Sequence, residues 1–394
     1  MTSIRSEEIL VDNNKEAELI SLAKRLAVRF AERAPQHDRE GSFPFDNFED
    51  LKQAGCLKLT VPKEFGGDEI SLFSLVQFLE NIARGDGSTA LSLGWHLGLI
   101  LQLRTTRRWP EHLFARLCKL TVEQGELYNG YISEPGIGSP GRGAKPRTTA
   151  VRSEGGWLLS GRKSFSTLLP NINHFSVIAS IDGEAATGEF YVDRQAGVGM
   201  KETWDTLGMR STGSHDLLLD RVFVPEASVV SISPKGQQQQ QPQDGHGFLM
   251  FISACYLGLA TAARDYAVEF ARTYQPDSLG MPIGELPLIQ QHLGLIEAEL
   301  TTARILLYSM ARRWDEEPGE RAALKPEFAL TKYTAVNSAI SISDRAMRVC
   351  GGSSLSRSNP LERIYRDIRA GLFNPPLDDL VIKDLAFKAL GKYS

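Results

Sequence analysis

The chain has 394 residues, 42% of them hydrophobic and 23% charged, with a formal net charge of −4; that is long enough for two or three domains around a substantial core. The mildly acidic balance and the lack of any dense Lys/Arg run argue against nucleic acid as the main partner. The four cysteines, Cys56, Cys118, Cys255 and Cys350, are far apart and form no CxxC pair, which argues against a structural zinc or a disulfide scaffold and for reduced thiols in the cytoplasm.

The N-terminal "MTSIRSEEILVDNNKEAE" is charged and lacks the apolar core of a signal peptide. "NKEAELISLAKRLAVRFAERA" then places Leu19, Leu22, Ala23, Leu26 and Phe30 on one helical stripe. Ser71 is positioned to cap "LFSLVQFLENIAR", which stops at Gly85, and Ser88 to cap the apolar helix carrying Trp95 and His96. That helix, "STALSLGWHLGLILQL", falls short of the roughly 20 residues a membrane span needs and carries a histidine, so a buried helix in a soluble protein is expected.

Residues 1–125 therefore read as a helical domain. Over 126–230 the pattern changes: "TTAVRSEGGWLLSGRKSF", "NHFSVIASI", "GEFYVDR" and "SHDLLLDRVFVP" are short, rich in β-branched and aromatic residues, and broken by Gly-Gly, Asp-Gly and Pro-Asn. That is the look of a compact β domain. Residues 231–246 contain a low-complexity Gln tract, expected to be a surface loop without function. From 247 to 394 helices return. "FLMFISACYLGLATAARDYAVEFART" is apolar nearly all round and so expected to be buried, and two further long helices start after prolines. The fold class is α+β multidomain.

Several motifs mislead. "GIGSPG", Gly136 to Gly141, fits G-x-G-x-x-G, but no helix pattern follows it as a dinucleotide site requires. Ser160 and Lys163 fit S-x-x-K without its partner motifs. Ser214, His215 and Asp216 are adjacent, and neighbours along an extended chain point to opposite faces, so they cannot form a triad. No metal-ligand spacing is present.

Four segments, in order, resemble those of acyl-CoA dehydrogenases: "YISEPGIGSPGRG", "LSGRKSFSTLLPNINHFSVIA", "WDTLGMRSTGSHDLLLDRVFVP" and "MRVCGGSSLSRSNPLERIYRDIR". The resemblance implies a helical N-terminal domain, a β-barrel middle domain and a C-terminal four-helix bundle, the order the pattern reading reaches separately. It also implies a flavin, FAD or alternatively FMN, lying between the β domain and the helices. On this resemblance Ile132 and Ser133 meet the isoalloxazine edge, Phe165 lies against the ring, and Thr167 stands near its N5. Arg272 meets the pyrophosphate. Arg348, Gly351 and Gly352 approach the nucleotide half from a neighbouring subunit of a homodimer or homotetramer. Ser139 meets the pantetheine of an acyl-CoA. Taken singly, each has a plainer role as a turn, core or cap residue; the ordered set carries the resemblance.

The sequence departs from the family at the catalytic base. The usual glutamate position falls on Asn374–Pro375 of "GLFNPPLDD", and the alternative position on the first bundle helix falls near Phe248 and Leu249. Three readings follow. The first, ranked ahead, is an acyl-CoA dehydrogenase-type oxidoreductase with a relocated base, for which Asp378 is nearest, although an N-cap explains Asp378 more simply. The second is a flavin monooxygenase, as in the superfamily branch that includes dibenzothiophene monooxygenase, with His96 beside the flavin. The third is a non-catalytic flavin-binding homologue. An electron-transfer flavoprotein or oxygen itself is the implied electron acceptor.

Overall fold

The computed structural model describes residues 14–137, 145–234, 244 and 246–392. Five helices come first: α1 (Asn14–Glu40), α2 (Phe45–Gln53), α3 (Leu72–Ala83), α4 (Gly87–Thr106) and α5 (Glu111–Gln124). The α1 stripe packs as its spacing predicts, with Ala23, Leu26 and Phe30 buried. Ser71 caps α3 by accepting from Ser74 N–H. The cap of α4 is Asp86, not Ser88: its carboxylate takes the N–H groups of both Ser88 and Thr89. A carboxylate one residue before the helix satisfies two orphan donors where the Ser88 hydroxyl, already inside the first turn, satisfies none. The N-terminus of α3 has a second, distant anchor, since Asp315 accepts from Leu72 N–H and Phe73 N–H, both at 2.9 Å.

The middle of the chain forms eight strands: β1 (Tyr128–Tyr131), β2 (Thr149–Ser153), β3 (Gly156–Lys163), β4 (His174–Ile181), β5 (Ala186–Asp193), β6 (Val198–Lys201), β7 (Asp216–Pro225) and β8 (Val229–Pro234). They make one mixed sheet in the order β6-β7-β3-β2-β4-β5-β8, with β1 added alongside β4. β1 and β2 both run parallel to β4, and the remaining pairs are antiparallel. Strands rich in Val, Leu, Phe and Trp face inward, burying Trp157, Phe175, Phe190 and Val222.

The helical second half consists of α6 (Met250–Thr273), α7 (Pro287–Glu316), α8 (Lys325–Cys350), α9 (Pro360–Arg369) and α10 (Asp378–Ala389). As its composition predicts, α6 is a core helix. The span Gly247–Thr273 is apolar and long enough to cross a membrane, yet its most apolar stretch is 83% buried inside the protein. It lies close against α4: a Cβ on Gly94 would come within 2.3 Å of the Phe251 ring, and one on Gly87 within 2.8 Å of Leu259. Glycine lets the two backbones approach to this distance.

The arginine-rich α9 locks the layers together. Arg366 makes two bonds to Asp38 of α1, at 2.9 and 2.6 Å, and one to Leu207 O at 2.9 Å. Its neighbour Asp367 accepts from Met209 N–H of the same loop at 2.6 Å. Burial pushes the Asp367 carboxyl up to about 7, against the lowering effect of Arg363 and the Met209 N–H.

Candidate active site

Where β1 leaves the sheet, the chain runs beneath the loop that follows β3. Ser164 N–H donates to Ser133 O at 2.9 Å, which ties residues 132–133 to the loop 164–168. The Thr167 carbonyl is held from below by two donors, Asn129 Nδ2 and Tyr131 Oη, each at 2.9 Å. This loop is bent sharply: Phe165 has φ 55° and Leu168 φ 73°, while Met209 in the facing loop has φ 53°. Left-handed backbone at bulky residues is strained and concentrates at functional sites.

The bend turns two apolar side chains outward. Phe165 is 68% exposed and Ile132 is 47% exposed. The Phe165 ring keeps an edge contact with Trp204, centroids 5.8 Å apart. Behind this apolar ledge is a run of buried hydroxyls. Thr167 Oγ1 is 2.9 Å from Ser214 Oγ, which is 2.7 Å from Thr212 Oγ1, which donates to Met209 O at 3.0 Å. Ser166 Oγ is buried with no hydrogen-bond partner among the described residues. A flat apolar surface edged by hydroxyls suits a planar heteroaromatic ring such as a flavin.

Four of the residues singled out in the sequence, Ile132, Ser133, Phe165 and Thr167, are thus brought together. Arg272, Arg348, Gly351 and Gly352 are not among them. These residues sit at the C-terminal ends of α6 and α8, two helices that pack directly against each other. Arg272 and Arg348 are exposed and have no partner among the described residues. A Cβ on Gly351 or Gly352 would meet nothing within 4 Å. Ser139 and most of the Gln tract lie outside the described residues.

His96 is fully buried. Its Nε2 lies 3.0 Å from Leu57 O and its Nδ1 accepts from Tyr128 N–H at 3.0 Å, so both nitrogens are committed to backbone. To act on a ligand it would have to give up one of these bonds.

Asp378 is not the cap the sequence suggests. It is the first residue of α10, behind Leu377 as N-cap, and no side-chain cap bond forms. Its carboxylate reaches across to α8 instead, to Lys332 Nζ at 3.1 Å and Asn337 Nδ2 at 3.0 Å. Charge pairing with a buried lysine outweighs a cap that water can replace. At the family's base position, Asn374 Oδ1 accepts from Tyr256 Oη at 3.3 Å.

The misleading motifs resolve locally. Lys163 is buried and bonded to Glu134 Oε1 and Ile178 O, both at 2.6 Å, so it serves no neighbouring serine. Glu134 also takes Arg147 N–H and the N–H and hydroxyl of Thr148. Burial would raise this carboxyl, but the bonds from Lys163 and Thr148 hold it below its ordinary value. His215 accepts from Thr203 and Trp204 N–H, and Asp216 holds Arg162, so they form no triad with Ser214. A cleft of about 470 Å³ between α2 and the start of β4, lined by Phe45, Glu49, Lys52 and Glu126 among others, holds none of the residues that converge on the ledge.

The hydroxyls Thr212 and Ser214 were missed as site residues. Their [ST]-x-[ST] spacing was the available signal. Gly213 at φ 59° makes the turn between them, where a Cβ would meet Pro170 at 2.6 Å.

Comparison with known proteins finds three matching domain families: acyl-CoA dehydrogenase N-terminal domain over residues 14–106, middle domain over 130–222 and C-terminal domain over 250–373. The YdbM protein of Bacillus subtilis (strain 168) is 41% identical over 97% of this chain and 99% of its own length. L-evernosamine nitrososynthase of a Micromonospora species is 30% identical over 95% of this chain and 90% of its own. Among solved structures, KijD3 in complex with FMN and a dTDP-linked amino-keto sugar has a TM-score of 0.84 at 27% identity, covering 98% of this chain and 96% of that one.

Proposed function

This chain belongs to the acyl-CoA dehydrogenase family of flavoproteins, and from that premise we propose that it is a flavin-dependent monooxygenase acting on a small molecule. The observation that carries this reading is the amide at the base position. Asn374 cannot take an α-proton from a thioester, and the nearest acid in sequence, Asp378, is engaged by Lys332 and Asn337 on α8. General-base catalysis is worth about 10²–10⁴-fold, so its loss counts against dehydrogenation more than any matching segment counts for it. This reverses the order in which the sequence alone ranks the two reactions. The nitrososynthase relatives and the FMN in KijD3 support the same side.

Ile132 and Phe165 supply the apolar face for the ring, with Trp204 buttressing Phe165. Ser133 and Thr167 supply polar edges, while Asn129 and Tyr131 fix the Thr167 carbonyl and with it the loop. The chemistry a bound reduced flavin brings is two electrons for oxygen, one oxygen atom going to the substrate and the other leaving as water. FMN is the favoured form on the KijD3 likeness; FAD remains the alternative, with Arg272 and Arg348 for its second half. The dehydrogenase reading keeps its own supports: YdbM carries a provisional acyl-CoA dehydrogenase name, and relatives at 26–29% identity are named as CoA dehydrogenases.

The test is to load the protein with FMN or FAD and add acyl-CoA thioesters without oxygen, following flavin absorbance. In parallel, the reduced protein receives oxygen with a panel of amines and sulfur heteroaromatics, and products are read by mass. Oxygenated product without thioester bleaching is expected, and Asp378→Asn should change neither result. Bleaching by a thioester, lost in Asp378→Asn with flavin still bound, would overturn the proposal and make Asp378 a relocated base.

A further inference from the structure

The loop between β6 and β7 has one residue through which its contacts pass. Met209 O accepts three bonds, from Trp204 Nε1 at 2.9 Å, Thr212 Oγ1 at 3.0 Å and Thr212 N–H at 3.3 Å. Its N–H has a single acceptor among the described residues, the Asp367 carboxylate of α9 at 2.6 Å. Nε1–H is the one donor an indole has. Met209 therefore joins α9 to Trp204, whose ring meets Phe165 edge-on with centroids 5.8 Å apart.

The α9 end of this relay is the fixed one. Arg366 Nη1 donates to Leu207 O at 2.9 Å, and a Cβ on Gly208 would come within 2.3 Å of Arg366 O, so the loop is seated on the helix. Met209 is held at φ 53°, a left-handed conformation that a bulky residue keeps only where its surroundings hold it. Met209 and Asp367 are 1% and 2% exposed, so without the carboxylate the N–H would be a buried donor lacking an acceptor. Relaxation of φ to its ordinary sign would then turn the Met209 carbonyl away from Trp204.

Resting on the flavin reading above, we infer that Asp367 is a positioning residue for the ring site, acting through Met209 and Trp204 on the Phe165 ring. Its surroundings make this hold sensitive to pH. Asp38 of α1 and Asp86 ahead of α4 face it, as do Cys255 and Tyr256 of α6, while Arg363 of α9 opposes them. With burial the largest influence, the carboxyl lies at about 7, ionised at pH 8 and largely neutral at pH 6. An ionised acceptor makes roughly twice as strong a hydrogen bond as a neutral one, so the Met209 peptide is held best on the alkaline side.

The test measures FMN affinity of the full chain at pH 6 and pH 8 for wild type, Asp367→Asn, Trp204→Phe and the double variant. Trp204 emission, taken as the difference that Trp204→Phe makes, is read without flavin. Asp367→Asn should weaken FMN about fivefold at pH 8, as expected of halving one charge-assisted bond, and hardly at pH 6. This effect should vanish in the Trp204→Phe background, because a relay is non-additive where independent damage adds. Trp204 emission should shift to the red in Asp367→Asn at pH 8. Additive losses, a loss equal at both pH values, or unchanged emission would overturn the inference and leave the flavin reading standing. Should Asp367→Asn fail to fold, wild type and Trp204→Phe decide between them. The ratio of their affinities, in which titration of the FMN phosphate cancels, should rise about fivefold from pH 6 to pH 8; a constant ratio would overturn the inference. Binding of neither FMN nor FAD by wild type would overturn the flavin reading and the inference with it.

Discussion

With Nε2 donating to Leu57 O and Nδ1 accepting from Tyr128 N–H, His96 is held as one neutral tautomer, and burial pushes its pKa down to about 4 despite those two bonds. An unfolded histidine titrates near 6.5. Between these values the unfolded chain binds a proton that the folded chain refuses, so this residue makes stability fall as pH drops from about 6.5 toward 4. The full effect is roughly 3 kcal/mol at 1.36 kcal/mol per pH unit. His96→Gln should lose less stability than wild type in urea unfolding between pH 7 and pH 4.5; parallel losses would mean that His96 titrates normally in the fold. A lone histidine on an apolar helix signals burial in the sequence. Its partners are invisible there, because Leu57 and Tyr128 lie 39 and 32 residues away. The same holds for Thr167, whose hydroxyl partner Ser214 is 47 residues distant. The residues proposed to meet a ring can be picked out by their likeness to a family; those that orient them by hydrogen bonds cannot.

Among the elements, the contact of α4 with α6 has the narrowest tolerance. Gly94 and Gly98 both face Phe251, whose ring also meets Trp95 edge-on with centroids 5.1 Å apart. Gly94→Ala should therefore destabilise the protein by about 1–3 kcal/mol through overpacking, even though alanine is the better helix former. In a Phe251→Leu background the same change should cost measurably less, which a double-mutant cycle of thermal or urea unfolding would read. Additive effects would place the strain elsewhere. The apolar runs of α4 and α6 predict burial in the sequence, since neither has a polar face. Which face meets which helix is set by small residues whose meaning appears only when the partner is known. Helix ends divide in the same way: Ser71 was legible because its acceptor role is local, whereas Asp378 forgoes a cap for Lys332, 46 residues back in the chain.

For the molecule as a whole, the apolar ledge of Ile132 and Phe165 and the exposed Arg272 and Arg348 belong to different elements of one protomer. We propose that Arg348 and the Gly351–Gly352 turn serve the ledge of a second copy, in a homodimer or homotetramer. Arg348→Ala should then weaken FAD more than FMN, with oligomeric state by light scattering unchanged; equal weakening of both would confine the arginine to the phosphate they share. Another long-range contact bears on how the protein is made. Asp315 supplies the acceptors for the first two N–H groups of α3, those of Leu72 and Phe73, from 243 positions further along the chain than Leu72. A ribosome adding about 5–20 residues per second needs roughly 12–50 s to bring that carboxylate into being. Through that interval the nascent third helix has Ser71 alone at its head, and its apolar flank awaits α6 and α7, which are not yet synthesised. The N-terminal layer is thus a guest of the C-terminal one, and a chain truncated before residue 315 should be bound by chaperones more than the complete chain.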